Sequence, residues 1–248
     1  FFVEMAASPI AALGLLALTG VARPAALPLA LPFLALWAAA PACGYWLSRS
    51  TVPVRRELLP ADRDFLMEVA RKTWLCFETL AGPEDNWLPA DNVQEERAPR
   101  VAHRTSPTNV GMGLLSTLAT HDLGLLTADA MVERLDRMLT TVEGLERHEG
   151  HLLNWYDTQK LSPLLPRYVS TVDSGNLAGA LLALAEGCRR LSGSRPDLAP
   201  RLSDVARRAA ALAEGMNFAF LYDRQRQLFS IGYRMADAGG PGQAGPAY

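Results

Sequence analysis

Cysteine is scarce in this chain. Cys43, Cys76 and Cys188 are an odd number with no CxxC pair and no Cys/His ligand spacing, so neither a disulfide framework nor a structural zinc site is expected. Reduced thiols in the cytosol are the simpler reading. A strong charge of either sign is missing too: 24 Lys and Arg stand against 26 Asp and Glu, leaving a net charge of -2 and no basic field for nucleic acid. No internal repeat is visible, which argues against a solenoid of like units. His148 and His151 are three residues apart, but Gly150 interrupts them and no third ligand accompanies them, so no metal site is expected.

Charge is almost absent from residues 1–48, where Glu4 and Arg23 stand alone. Residues 1–20 and 25–47 form two apolar stretches, each close to the roughly 20 residues that cross a bilayer core. A signal peptide has one short apolar core and no second stretch behind it. Trp37, Tyr45 and Trp46 suit a membrane interface, and Arg49, Arg55 and Arg56 follow directly. Two transmembrane helices are therefore expected in residues 1–56, with the basic end and the soluble domain, residues 57–248, on the cytoplasmic side. A buried helix pair in a soluble hydrolase is the alternative. The chain begins with Phe1 and stops at Tyr248 after a Gly/Pro-rich run, so it is read as a piece of a longer protein.

Helical periodicity returns in residues 59–80, with Phe65, Leu66, Val69 and Phe77 on the repeat and Pro60 in the first turn. Ser106 followed by Pro107 is a helix start, and Val110, Leu114, Leu115 and Leu118 continue it. Thr127 caps a helix through Val132, Leu135, Met138 and Val142, ending near Arg147. Asp173 or Ser174 caps another through Leu177, Leu181, Leu184 and Cys188, and residues 203–216 form one more. Residues 218–233 read as a short β-hairpin around a turn at 223–227.

Between these helices lie two long connections with no helical period, residues 82–106 and 151–176. Both are rich in polar and aromatic side chains, and such long connections are usually functional. Long and short connections alternate. In a toroid of paired helices alternate connections leave from one end, so the two long ones should meet over one face.

Their composition is that of a sugar site, which needs flat rings for the apolar face of a pyranose and planar, forked groups for its hydroxyls. Trp87, Trp155 and Tyr156 supply rings. Asp91, Asn92, Gln94, His103, Arg104, Asn109, Asn154, Asp157, Arg167, Asp173 and Asn176 supply hydrogen bonds. Glycoside chemistry calls for two facing carboxyl groups. Asp91, Asp157 and Asp173 are available, and nothing in the sequence shows that any two face each other.

The motifs NWLPADNVQE, VAHRTSPTN, LNWYDT, PRYVSTVDSGNLAG and FLYDRQRQLFSIGY, in that order, resemble the middle of bacterial cyclic β-1,2-glucan synthases. The resemblance covers nearly the whole chain, from the last membrane helices into a glucoamylase-like domain. It implies a mainly α fold: two transmembrane helices, then the N-terminal part of an (α/α)6 barrel. It also implies a bacterial inner-membrane protein whose glycosyltransferase domain builds β-1,2-glucan from UDP-glucose and whose glucoamylase-like domain cyclises the glucan by transglycosylation. On that reading the partners are β-1,2-glucan, the lipid bilayer and the remaining domains of the polypeptide, and no cofactor belongs to this segment. The resemblance further implies that the catalytic carboxylates lie beyond Tyr248 and that the segment alone is inactive. After Tyr233 the chain departs from the family pattern, being Gly/Pro-rich where relatives are acidic. A noncatalytic glucan-holding module and a soluble endo-β-1,2-glucanase-like hydrolase are the alternatives.

Overall fold

The computed structural model describes residues 2–49, 58–95, 100–236 and 240–246. They form two compact units, residues 1–58 and 59–248.

The first unit is a helical hairpin, α1 (Ala7–Ala22) and α2 (Leu27–Leu47), joined by a 3-10 turn at Pro24–Ala26. The Ser8 hydroxyl donates to the Trp37 carbonyl at 2.8 Å, and the Phe2 and Tyr45 rings lie 5.1 Å apart, so the helices run antiparallel. Ala12 is buried, while Ile10, Leu13, Leu18, Leu29, Phe33, Leu36, Trp37 and Trp46 face outward. Apolar surface turned outward is the reverse of a water-soluble bundle. Only one of the two expected spans reaches spanning length among the described residues. Pro24–Leu47 is long and apolar enough, with a mean hydropathy of 1.7. The 16 residues of α1 rise only about 24 Å at 1.5 Å each, short of a bilayer core of roughly 30 Å.

The second unit is mainly helical. Its helices are α3 (Pro60–Leu80), α4 (Pro107–Asp122), α5 (Ala128–Gly144), α6 (Thr171–Ser194) and α7 (Ala199–Glu214). Ser106 caps α4 through the Asn109 N–H at 3.2 Å, and Thr127 caps α5 through Ala130 at 3.3 Å, as their sequences imply. The cap of α6 is neither Asp173 nor Ser174. Ser170 accepts from the Asp173 N–H at 3.2 Å, so the helix starts three residues sooner and Asp173 lies in its first turn. A β-branched Thr171–Val172 pair hides that start from a propensity reading. Val110 and Leu114 of α4, Leu135 and Leu139 of α5, Leu177, Leu181 and Leu184 of α6 and Leu202 and Val205 of α7 make one core. Helices α4 and α6 cross closely at Gly111, where a Cβ would stand 3.0 Å from that of Ala180.

The long connections are not loops. The first holds β1 (Val93–Gln94), β2 (Arg100–Val101) and β3 (Arg104–Thr105); β4 (Arg147–His148) precedes the second, which holds β5 (His151–Leu152), β6 (Asn154–Asp157) and β7 (Pro163–Ser170). Further on come a 3-10 turn at Phe218–Leu221, then β8 (Tyr222–Asp223), β9 (Leu228–Phe229), β10 (Gly232–Arg234) and β11 (Gln243–Ala244). Strands β11, β10, β7, β6 and β3 form one antiparallel sheet in that order. A register shift between Asn154 and Tyr156, with Pro163 and Pro166 in β7, erases the two-residue alternation that marks a strand. The hairpin expected at 218–233 is β8 with β9 around the turn at 223–227, while its first half is 3-10 and its end joins the larger sheet.

His148 and His151 face each other across β4 and β5. His148 stacks on Tyr233 with centroids 5.3 Å apart, and His151 meets Phe218 edge-on at 4.7 Å. His151 is fully buried, its Nε2 stands 3.0 Å from the Asn217 carbonyl, and its Nδ1 has no partner among the described residues. Burial lowers its pKa, with His148 adding to the effect and the Asn217 carbonyl and Glu149 opposing it. A lowered imidazole pKa means that the unfolded chain takes the proton first, so this residue costs stability as pH falls below the unfolded value of about 6.5. In urea titrations from pH 7 to pH 5, His151→Gln is expected to flatten the fall in unfolding free energy; an unchanged slope would show that His151 protonates freely in the fold.

Candidate functional site

The two long connections meet. Strand β3, from the first, pairs with β6, from the second, with Arg104 opposite Asp157 and Thr105 opposite Tyr156. The Asn86 side chain donates to the Thr158 carbonyl at 2.8 Å, and the Thr158 N–H donates to the His103 carbonyl at 3.1 Å.

At this junction Asp91 is the hub. Its Oδ2 accepts from Arg104 Nε at 3.1 Å, Arg104 Nη2 at 2.9 Å and Asn92 Nδ2 at 2.8 Å, and its Oδ1 accepts from Asn109 Nδ2 at 3.3 Å. The Arg104 guanidinium lies over the Trp155 ring, 4.9 Å from its centroid. Ion pairing with Asp91 and stacking on the Trp155 ring hold the planar cation in one orientation, with nearly half its surface open. Asn109 reaches Asp91 from the first turn of α4. One turn of α6 is tied to the same end of α4, since Asn176 Nδ2 donates to Thr108 Oγ1 at 3.1 Å. Asp173, in that turn, is partly exposed and its carboxylate has no hydrogen-bond partner among the described residues.

Other expected ligands lie elsewhere or are already committed. Tyr156 is 0% exposed; its hydroxyl donates to the Glu146 carbonyl and accepts from the Leu153 N–H at 2.7 Å, and burial pushes its phenol far up. It is a core residue and does not reach a ligand. Trp87 turns the other way, packing on the core with the guanidinium of Arg137 4.9 Å and that of Arg134 5.7 Å from its ring. It packs against α5, and its cation contacts are with Arg134 and Arg137 where those of Trp155 are with Arg104. Arg167 is held by an ion pair with Glu146, and Asp157 Oδ1 accepts the N–H groups of Gln159 and Lys160 at 2.9 and 2.8 Å, closing the turn between β6 and β7. Asn154 is buried with its Oδ1 unpartnered among the described residues, and Gln94 is exposed on β1. His103 places Nδ1 2.8 Å from the buried Oδ1 of Asp85. Asp85 and Thr158 escaped the sequence reading, because an Asp after Pro83 looks like any turn residue. Among the described residues no group of three His, Cys, Asp or Glu side chains is placed to ligate a metal ion.

A stacked, half-open guanidinium beside an indole, its carboxylate partner shared with the side-chain amides of Asn92 and Asn109, is suited to grip neighbouring hydroxyls on a flat ring. The helical architecture is that of glucoamylase-like (α/α)6 toroids. An endo-β-1,2-glucanase from Chitinophaga pinensis superposes with a TM-score of 0.57 at 15% identity, covering 74% of this chain and 42% of that one. A β-1,2-glucanase from Parabacteroides distasonis gives 0.55 at 11% identity, over 71% of this chain and 24% of that one. Within that class the chain is related in sequence to cyclic β-1,2-glucan synthases, as its motifs indicate. It is 36% identical over 219 residues to the cyclic β-(1,2)-glucan synthase NdvB of Rhizobium meliloti (strain 1021), over 88% of this chain and 8% of that protein. No family model matches the chain.

Proposed function

We propose that the chain is a segment of a membrane-bound cyclic β-1,2-glucan synthase and that its second unit binds β-1,2-glucan within the domain that cyclises the polymer by transglycosylation. The Arg104 guanidinium clamped between Asp91 and Trp155 carries this reading. Support comes from the sequence relationship to a glucan synthase and from a toroid shared with β-1,2-glucanases. The apolar helix Pro24–Leu47 crosses the bacterial inner membrane, and Arg49 with the arginines after it keeps the second unit cytoplasmic. Catalytic carboxylates come from other parts of the polypeptide, as does the site that uses UDP-glucose, and this segment alone is inactive.

Trp155→Ala in the complete protein is expected to weaken binding of linear β-1,2-glucan about tenfold, the worth of one aromatic platform, with an unchanged circular dichroism spectrum. Wild-type affinity would remove the Arg104–Trp155 cluster from the glucan path.

A further inference from the structure

The carboxylate at the centre of the Arg104 cluster is already engaged. Both oxygens of Asp91 hold donors from Arg104, Asn92 and Asn109, and what the half-open guanidinium itself offers is N–H. A sugar hydroxyl donates as well as accepts, so a guanidinium alone satisfies half of it. The next residue back along the chain from Arg104 supplies the other half.

His103 has its side chain 43% exposed, whereas its partner Asp85 is buried, only 6% of its surface remaining. Asp85 Oδ1 faces His103 Nδ1 at 2.8 Å and also accepts the Thr158 hydroxyl. A carboxylate accepts and cannot donate, so the neutral imidazole carries its proton on Nδ1 and a lone pair on Nε2. The Gln159 side-chain amide stands 3.4 Å from Nδ1, and turned oxygen-inward it accepts from the same N–H. Nε2 has no hydrogen-bond partner among the described residues. Burial of Asp85 at the end of the turn Pro83–Asp85, with Thr158 from the second connection closing on it, fixes the Nδ1 edge of the ring and leaves Nε2 on the edge away from Asp85.

We propose that His103 Nε2 accepts a hydrogen bond from a glucan hydroxyl beside Arg104, and that Asp85 and Thr158 are positioning residues that hold His103 in the Nδ1–H tautomer. This rests on the glucan-binding reading above and adds the group that completes the surface. A purely structural role for the Asp85–His103 contact, pinning the two connections together, would make the Nε2 edge irrelevant.

Two substitutions separate these roles. Asparagine at 103 keeps a donor near the Nδ1 position and loses the Nε2 edge; glutamine reaches the Nε2 position and offers an amide oxygen there. In the complete protein, linear β-1,2-glucan binding is expected to weaken about tenfold in His103→Asn and to stay within about threefold of wild type in His103→Gln. Asp85→Asn, whose amide can donate to Nδ1 and drive the proton to Nε2, should lose as much as His103→Asn. Nitrogen-15 spectra of histidine-labelled protein report the tautomer directly and are expected to show Nδ1–H at His103 without ligand. Wild-type affinity in His103→Asn, or a proton found on Nε2, overturns this inference while leaving glucan binding intact. Failure of the wild-type protein to bind β-1,2-glucan overturns both.

Discussion

Arg104→Ala should lower the affinity for linear β-1,2-glucan by about 10- to 100-fold, the range for losing hydrogen bonds from a charged donor. Two losses combine. The ligand loses a planar cation with open N–H groups, and Asp91 loses its principal partner, so the carboxylate that also orients Asn109 is freed to turn. Arg104→Lys is expected to recover little, because an ammonium reaches Asp91 as a point charge and leaves the Trp155 ring without a flat neighbour. Titration calorimetry on the complete protein checks both variants. Equal affinity in wild type and Arg104→Ala would show that the cluster is a structural ion pair.

A second large effect falls on stability. Gly150, between β4 and β5, has φ +83°, and a Cβ there would stand 1.9 Å from the Gly215 carbonyl oxygen. Backbone cannot move aside as a side-chain tip can. Gly150→Ala adds left-handed strain to an overlap with the end of α7, and is expected to cost about 3 kcal/mol or more. Chemical denaturation would register this as a drop in midpoint, and a midpoint within experimental scatter of wild type would mean that β4 and β5 sit farther from α7 than 1.9 Å implies.

Helices were the legible part of the chain. Ser106–Pro107 and Thr127 declare their helix starts because capping and proline act locally, and the apolar repeat through Leu135 and Leu139 needs no partner to be read. Meeting of the two long connections was legible as well, since alternation of loop lengths is a property of topology. Side-chain destinations were not. Trp87 and Trp155 have the same chemistry and similar neighbours in sequence, yet one packs against α5 while the other stacks on Arg104. Tyr156 follows Trp155 directly and points into the core, because adjacent residues of β6 face opposite ways and the strand itself was hidden by its register shift. Asp85 was passed over for the opposite reason: its carboxylate becomes notable only when Thr158, 73 residues away, closes on it.

The first of the two expected spans is shorter as a helix than as an apolar run for a related reason. The apolar run at the start of the chain is nearly 20 residues long, but its first residues form a turn and α1 begins only at Ala7. Composition counts residues, and a bilayer is crossed by helical rise.

Glucan binding at the junction of the two connections is tested most directly by oxidative footprinting of the complete protein with and without linear β-1,2-glucan. Trp155 should oxidise more slowly when glucan is present, with Trp87 unchanged and a β-1,4-linked glucan giving no protection. Trp155 oxidising at the same rate with and without glucan, or Trp87 protected in its place, would contradict a glucan site at Arg104.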